Sequence, residues 1–148
     1  MKKITLTLTL LLSLTSLSFS QDLKLKTEEF PEKEMKSQNK EIVQLVSKEI
    51  SQKLPHVVDK YTTLVSVTGV NTTLLYKFEI NTGSKSDEAV KKEDRSRMKS
   101  AVTQGVCQSS NKFLAAGINT SYIYISQKTK AHLFQFDIAQ KDCISIQK

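Results

Sequence analysis

Two cysteines, two histidines and a scatter of serines and carboxylates are the residues of this chain whose types could do chemistry. Their spacing limits how far that reading goes. His56 directly follows Pro55, and His132 lies in a strand-like stretch, in line with Phe134, Phe136 and Ile138, so a structural role is the plainer reading for both. A zinc site drawing on Cys107, Cys143, His56 and His132 has none of the spacings that metal motifs use. No serine sits in a nucleophile elbow or a phosphate-cradling loop. The adjacent carboxylates Glu28 with Glu29 and Glu93 with Asp94 belong to charged segments and need no catalytic explanation. The sequence therefore names no catalytic residue, no metal ligand and no cofactor.

What the cysteines do depends on the compartment. Residues 1–20 have the parts of a secretory signal: Lys2 and Lys3, the apolar run Ile4 to Leu17, and small residues at Ser18 and Ser20, which suit cleavage before Gln21. An apolar run of about 14 residues is short of the roughly 20 that span a bilayer, so no stable membrane span is expected after cleavage. The expected location is the periplasm or the medium. In an oxidising compartment two cysteines with no third candidate pair with each other, giving a Cys107–Cys143 disulfide.

The full chain has 148 residues, 22 basic and 15 acidic, for a net charge of +7. Loss of Lys2 and Lys3 with the signal leaves +5, spread among acids, which is not a nucleic-acid signature. The length suits one domain. Residues 21–39 read as a charged N-terminal arm, 40–143 as a single α+β domain and 144–148 as a short tail. Within the domain, Ile42, Val43, Val46, Ile50 and Leu54 recur at helical spacing up to Pro55. Thr62 to Val70 and Thr73 to Asn81 read as a hairpin, the second strand alternating Leu74, Tyr76, Phe78 and Ile80 against Thr73, Leu75, Lys77 and Glu79. A second helix is expected from a Ser86 cap, ending or bending at Gly105. Ser109 or Ser110 can cap a short helix closed by Gly117. Ile118 to Gln127 and Ala131 to Ile138 form the last hairpin. The simplest assembly of helix, hairpin, helix, hairpin is one antiparallel four-stranded sheet with the helices on one face.

The strand after Gly117 carries Tyr122 and Tyr124 on one side and Ile123 and Ile125 on the other. Isoleucine prefers the dry side more strongly than tyrosine, whose hydroxyl needs a partner when buried. The isoleucines are therefore expected under the helices, and Tyr122 and Tyr124 on the open sheet face beside Lys77, as a candidate binding face.

A Cys, a short helix, Leu114 followed by Gly117, a strand with Tyr122 and Tyr124, a hairpin and a closing Cys143 form an arrangement that resembles the β-type pilotins of type II secretion. Those are small periplasmic α+β domains with a disulfide that help deliver an outer-membrane secretin. They are usually lipoproteins, whereas no lipid-acceptor cysteine follows the signal here. The resemblance implies a non-enzymatic binding or accessory protein of the bacterial envelope whose partner is an envelope protein. The alternatives from other classes are a periplasmic inhibitor or immunity protein against a hydrolase, and a small enzyme without a recognised motif.

Overall fold

The order of elements in the computed structural model, which describes residues 32–144, is α1 (Glu32–Ser51), β1 (His56–Val57), β2 (Thr62–Val70), β3 (Thr73–Ile80), α2 (Asp87–Ser109), α3 (Asn111–Ala115), β4 (Asn119–Ser126), β5 (His132–Ile138) and α4 (Gln140–Ile144). The expected signal lies outside the described residues. The strands form one five-stranded sheet in sequence order, and both long helices feed one apolar core on a single face of it.

The α+β class, the two hairpins, the one-sided helices and the disulfide match the expectation; the sheet itself corrects it. It is mixed, with five strands and not four. The β2–β3 and β4–β5 pairs are antiparallel, but β3 and β4 run parallel, with Thr73 opposite Asn119 through Ile80 opposite Ser126. The cause is α2, which returns the chain to the end of the sheet where β3 began, so that β4 starts in the same direction; a parallel pair requires such a crossover. The extra strand, β1, is a two-residue edge pairing with Leu64 and Thr63, too short to show an alternation.

Other boundaries differ in instructive ways. Helix α1 begins at Glu32, so residues 32–39 of the expected arm are helical, with Glu32 and Glu34 in the first turn where the helix dipole favours acids. Helix α2 starts as expected, Ser86 Oγ accepting from Ala89 N at 3.2 Å, but it runs straight through Gly105. One glycine costs a helix only about 1 kcal/mol, and the turn beyond it places Val106 in the core and Cys107 in the disulfide. Ser110 precedes α3 without a side-chain cap bond. Gly117 has φ +85°, the left-handed conformation that ends a helix. A bulge in β5 places Tyr124 opposite Phe134 but Ile125 opposite His132. Leu133 and Phe134 are consequently both buried, while His132 leaves the apolar row and is exposed. Ile144 ends α4 and is not part of a tail.

Helix α1 packs along β2 with Val43 fully buried. The contact is close because β2 carries Gly69, where an added Cβ would stand 2.7 Å from Val43 Cγ1. Gln44 Nε2 donates to Gly69 O at 2.9 Å and Ser51 Oγ to Val67 O at 2.9 Å, which fixes that flank of α1 on β2. Helix α2 lies along β5. A second small core of Val106, Leu114, Ile138 and Cys143 sits where α2, α3, β5 and α4 meet. The Cys107–Cys143 bridge, with Cα atoms 5.4 Å apart, closes it.

Candidate functional site

The tyrosines lie on the side opposite to the one expected. Tyr122 and Tyr124 share a sheet face with Tyr76, Phe78, Phe134 and Phe136, and that face is the one the helices cover. Tyr76 and Tyr122 stack with ring centroids 5.0 Å apart, Phe78 and Tyr124 likewise at 5.0 Å, and Phe134 with Phe136 at 5.8 Å. The physical reason is this cross-strand ladder. The parallel register sets β4 aromatics directly beside β3 aromatics, and stacked pairs add to the area that each ring removes from water. Ile123 and Ile125 accordingly stand half-exposed on the open face, with Lys77 opposite Ile123. Lys77 is therefore not brought together with the tyrosines. Elsewhere on the open face, Ser121 Oγ donates to Asp137 Oδ1 at 2.6 Å and Lys130 Nζ to Glu79 Oε1 at 2.6 Å.

The tyrosines are nevertheless not sealed. Helix α1 packs mainly on β2 and helix α2 mainly on β5, which leaves the central strands β3 and β4 between them. The two helices make no broad contact with one another. The central strands β3 and β4 thus floor a groove. Tyr76 and Tyr122 are only partly buried there. Among the described residues none of the three tyrosine hydroxyls has a hydrogen-bond partner, and the buried side-chain polar atoms without one are Thr120 Oγ1 and Gln140 Oε1 alone. The hydroxyls of Tyr76, Tyr122 and Tyr124 are thus left unpaired by the described residues on the helix-covered face. Partial burial pushes the phenol pKa of all three upward, that of Tyr124 to about 12 with the Asp59 charge contributing.

Each wall of the groove can be assigned from its contacts. On α1, Gln44 and Ser51 face β2, whereas Asn39 Nδ2 donates to Ala116 O at 2.6 Å beyond the start of β4. The flank carrying Asn39 is the groove flank, and helical spacing puts Ile42 and Val46 on it. Ile42 is 39% exposed although it belongs to the apolar stripe of the sequence. On α2, Ser96, Lys99 and Ser100 face Phe136 and Asp137 of β5. Arg97, on the other flank, faces Asp59 and Tyr61. Four and eight residues on, Ala101 and Gly105 continue that flank, while Met98 and Val102 pack down to the floor. The site is a half-exposed apolar groove with a row of unpartnered phenols, small residues on one wall and aliphatic ones on the other. Such a groove can take apolar side chains and offers hydrogen bonds at its base; among the described residues it presents no nucleophile, base or acid pair. Among the described residues there is no group of three or more His, Cys, Asp or Glu side chains placed to hold a metal.

Sequence reading missed Tyr76, Ile42 and Met98 as parts of one site. A signal existed, since β3 and β4 both alternate aromatics, but without the parallel register nothing says that the two rows align.

The fold, a sheet with helices on one face, is similar to that of three solved structures, two of them type II secretion pilotins. Over 75% of this chain and 96% of the other, it superimposes on the pilotin EpsS of the Vibrio vulnificus type 2 secretion system with a TM-score of 0.62 at 12% identity. The pilotin AspS of Vibrio cholerae gives 0.58 at 16% identity, over 75% and 97%. A candidate secreted protein from Pseudomonas aeruginosa gives 0.65 at 16%, over 74% and 96%. The resemblance read from the C-terminal half thus holds for the fold. Residues 37–134 match the family described as Domain of unknown function (DUF8479), and this chain belongs to that family. No curated protein matches the sequence.

Proposed function

We propose that this chain is an exported, non-enzymatic accessory protein of the bacterial envelope that captures an amphipathic segment of a secretion- or pilus-system protein in the groove between α1 and α2. The observation that carries the reading is the groove itself: Ile42, Val46, Met98 and Val102 flank a floor where the hydroxyls of Tyr76 and Tyr122 have no partner among the described residues. An apolar cleft with a few fixed polar groups is what segment recognition requires. The likeness to EpsS and AspS supports the secretion setting, and the secretin is the partner that likeness suggests. The working compartment is the periplasm, consistent with the disulfide, and no helix among the described residues is long and apolar enough to cross a membrane.

Photo-crosslinking in the cells that make the protein tests this. A photoreactive amino acid replacing Ile42 should yield one discrete envelope-protein adduct, and the same residue replacing Lys77 on the open face should yield none. Adducts from Lys77 alone would move the working surface to the other side of the sheet, and the groove reading would fall.

A further inference from the structure

A second concave site lies at the end of the sheet where β2 begins and β3 ends, adjoining the groove at Met98 but lined by none of Tyr76, Tyr122 and Tyr124. It is a cleft of about 590 Å³, within the size range of small-molecule sites. Its floor is apolar, made by Ile80, Val90 and Met98. Tyr61 stands at its rim, 55% exposed. Lys60 Nζ lies 4.6 Å from the centre of the Tyr61 ring, over one face only.

The rim is built before any ligand arrives. Asp59 Oδ1 accepts from Tyr61 N at 2.7 Å, and Asn81 N donates to Tyr61 O at 2.8 Å, which fixes the aromatic residue's backbone from both sides. Asn81 Oδ1 accepts from Gly83 N at 3.0 Å, and Gly83 has φ +62°, so the β3–α2 loop is held in a turn that suits glycine. Lys85 bonds Glu93 at 2.7 Å and Arg97 bonds Asp94 at 2.8 Å. The two cations that line the cleft, Lys85 and Arg97, are thus already paired with carboxylates. A highly charged ligand gains little there, whereas planar donors and acceptors stand ready for hydroxyl groups.

An exposed aromatic ring, an apolar floor and internally paired planar polar groups match the two sides of a sugar. The C–H face of a pyranose stacks on an aromatic or aliphatic surface, and its equatorial hydroxyls bridge side chains such as Asp94 and Arg97. We infer that this cleft binds an uncharged oligosaccharide of pyranose units, with Tyr61 as the stacking residue. The site shares Met98 with the groove between α1 and α2, but its aromatic ring is Tyr61 and none of the groove tyrosines lines it.

The test titrates the isotope-labelled protein with chitotetraose, with maltotetraose and with a sulfated heparin tetrasaccharide, following backbone amide shifts. A saturable response at Tyr61, Asn81 and Ser84 is expected with at least one neutral sugar; chitotetraose alone would identify an N-acetylated glycan, maltotetraose alone a plain hexose chain. Tyr61→Ala should weaken binding about tenfold, the loss of one stacked ring, and Tyr61→Phe should stay within about threefold of the natural protein, with unchanged spectra elsewhere. The inference is overturned if neither neutral sugar saturates by about 10 mM, if only the sulfated sugar binds, if the shifts map to Tyr76 and Tyr122, or if Tyr61→Ala binds as well as the natural protein.

Discussion

Tyr122 and Ile123 are adjacent residues whose environments invert the usual preference of their types. Isoleucine is more often fully buried than tyrosine, and on that average the sequence puts the isoleucines inside. The average fails because burial in a sheet is decided by what stands on the neighbouring strands. Tyr122 meets Tyr76 on one side and pairs with Phe136 on the other, so the ring completes a ladder that isoleucine would interrupt. Its hydroxyl escapes the usual cost by reaching the groove. Tyr124→Ser should accordingly destabilise the protein by about 3–5 kcal/mol in urea titrations, and Ile123→Ser by about 1 kcal/mol, since Tyr124 is 6% exposed and Ile123 half-exposed. The phenols also set an alkaline limit. Burial raises the folded pKa of Tyr76, Tyr122 and Tyr124 above the unfolded value near 10. Above that value the unfolded chain loses protons that the folded chain retains, so stability is complete below about pH 10 and falls as pH rises towards 12. Urea midpoints measured between pH 8 and 11.5 should show that decline, and Tyr76→Phe with Tyr122→Phe should lessen it.

At the level of elements, the strands of both hairpins, the Ser86 cap and the Gly117 stop were legible because each rests on a local rule: alternation, a side-chain acceptor, a left-handed residue. The parallel joint between β3 and β4 was not legible, because 38 residues separate the two strands and no residue type marks a parallel partner. The groove was hidden for the same reason. Its floor exists only once that joint is made, and its α1 wall shows in the sequence merely as one apolar residue more than the core uses. The seat of α1 was half legible. Val43 belongs to an obvious stripe, yet Gly69 shows in the sequence only as a residue near the end of a strand, and its use is to let a helix approach that strand. A Cβ at Gly69 would crowd both Val43 Cγ1, at 2.7 Å, and Gln44 Nε2, at 3.0 Å. Gly69→Ala is expected to cost about 1–3 kcal/mol by pushing α1 off β2. Pairing it with Val43→Ala, which makes room for the added methyl, should give a double variant less destabilised than the sum of the two single ones, a coupling that a double-mutant cycle would read.

The whole molecule is closed at one corner by its only disulfide, Cys107–Cys143. Helix α4 has five residues, too few to persist alone. It is held by Cys143, which is 5% exposed and packs with Val106, Leu114 and Ile138, and by the bridge from Cys143 to Cys107 across 36 residues of chain. A loop of that length contributes roughly 3–4 kcal/mol in the chain-entropy picture, a large share of the about 5–15 kcal/mol that stabilises a typical domain. The enclosed segment contains β4, β5 and half of the groove floor. Losing the bridge should therefore act at two levels. Cys107→Ser with Cys143→Ser should lower the urea midpoint by an amount equivalent to about 3 kcal/mol, and hydrogen exchange at residues 140–144 should accelerate towards the unprotected rate while β3 and β4 stay protected. A uniform loss of protection across the sheet would show instead that α4 and the sheet unfold as one unit. The same dependence favours a chain that matures outside the reducing cytosol: protein made without residues 1–20 and kept reduced should match the double serine variant in stability, and oxidation should restore it.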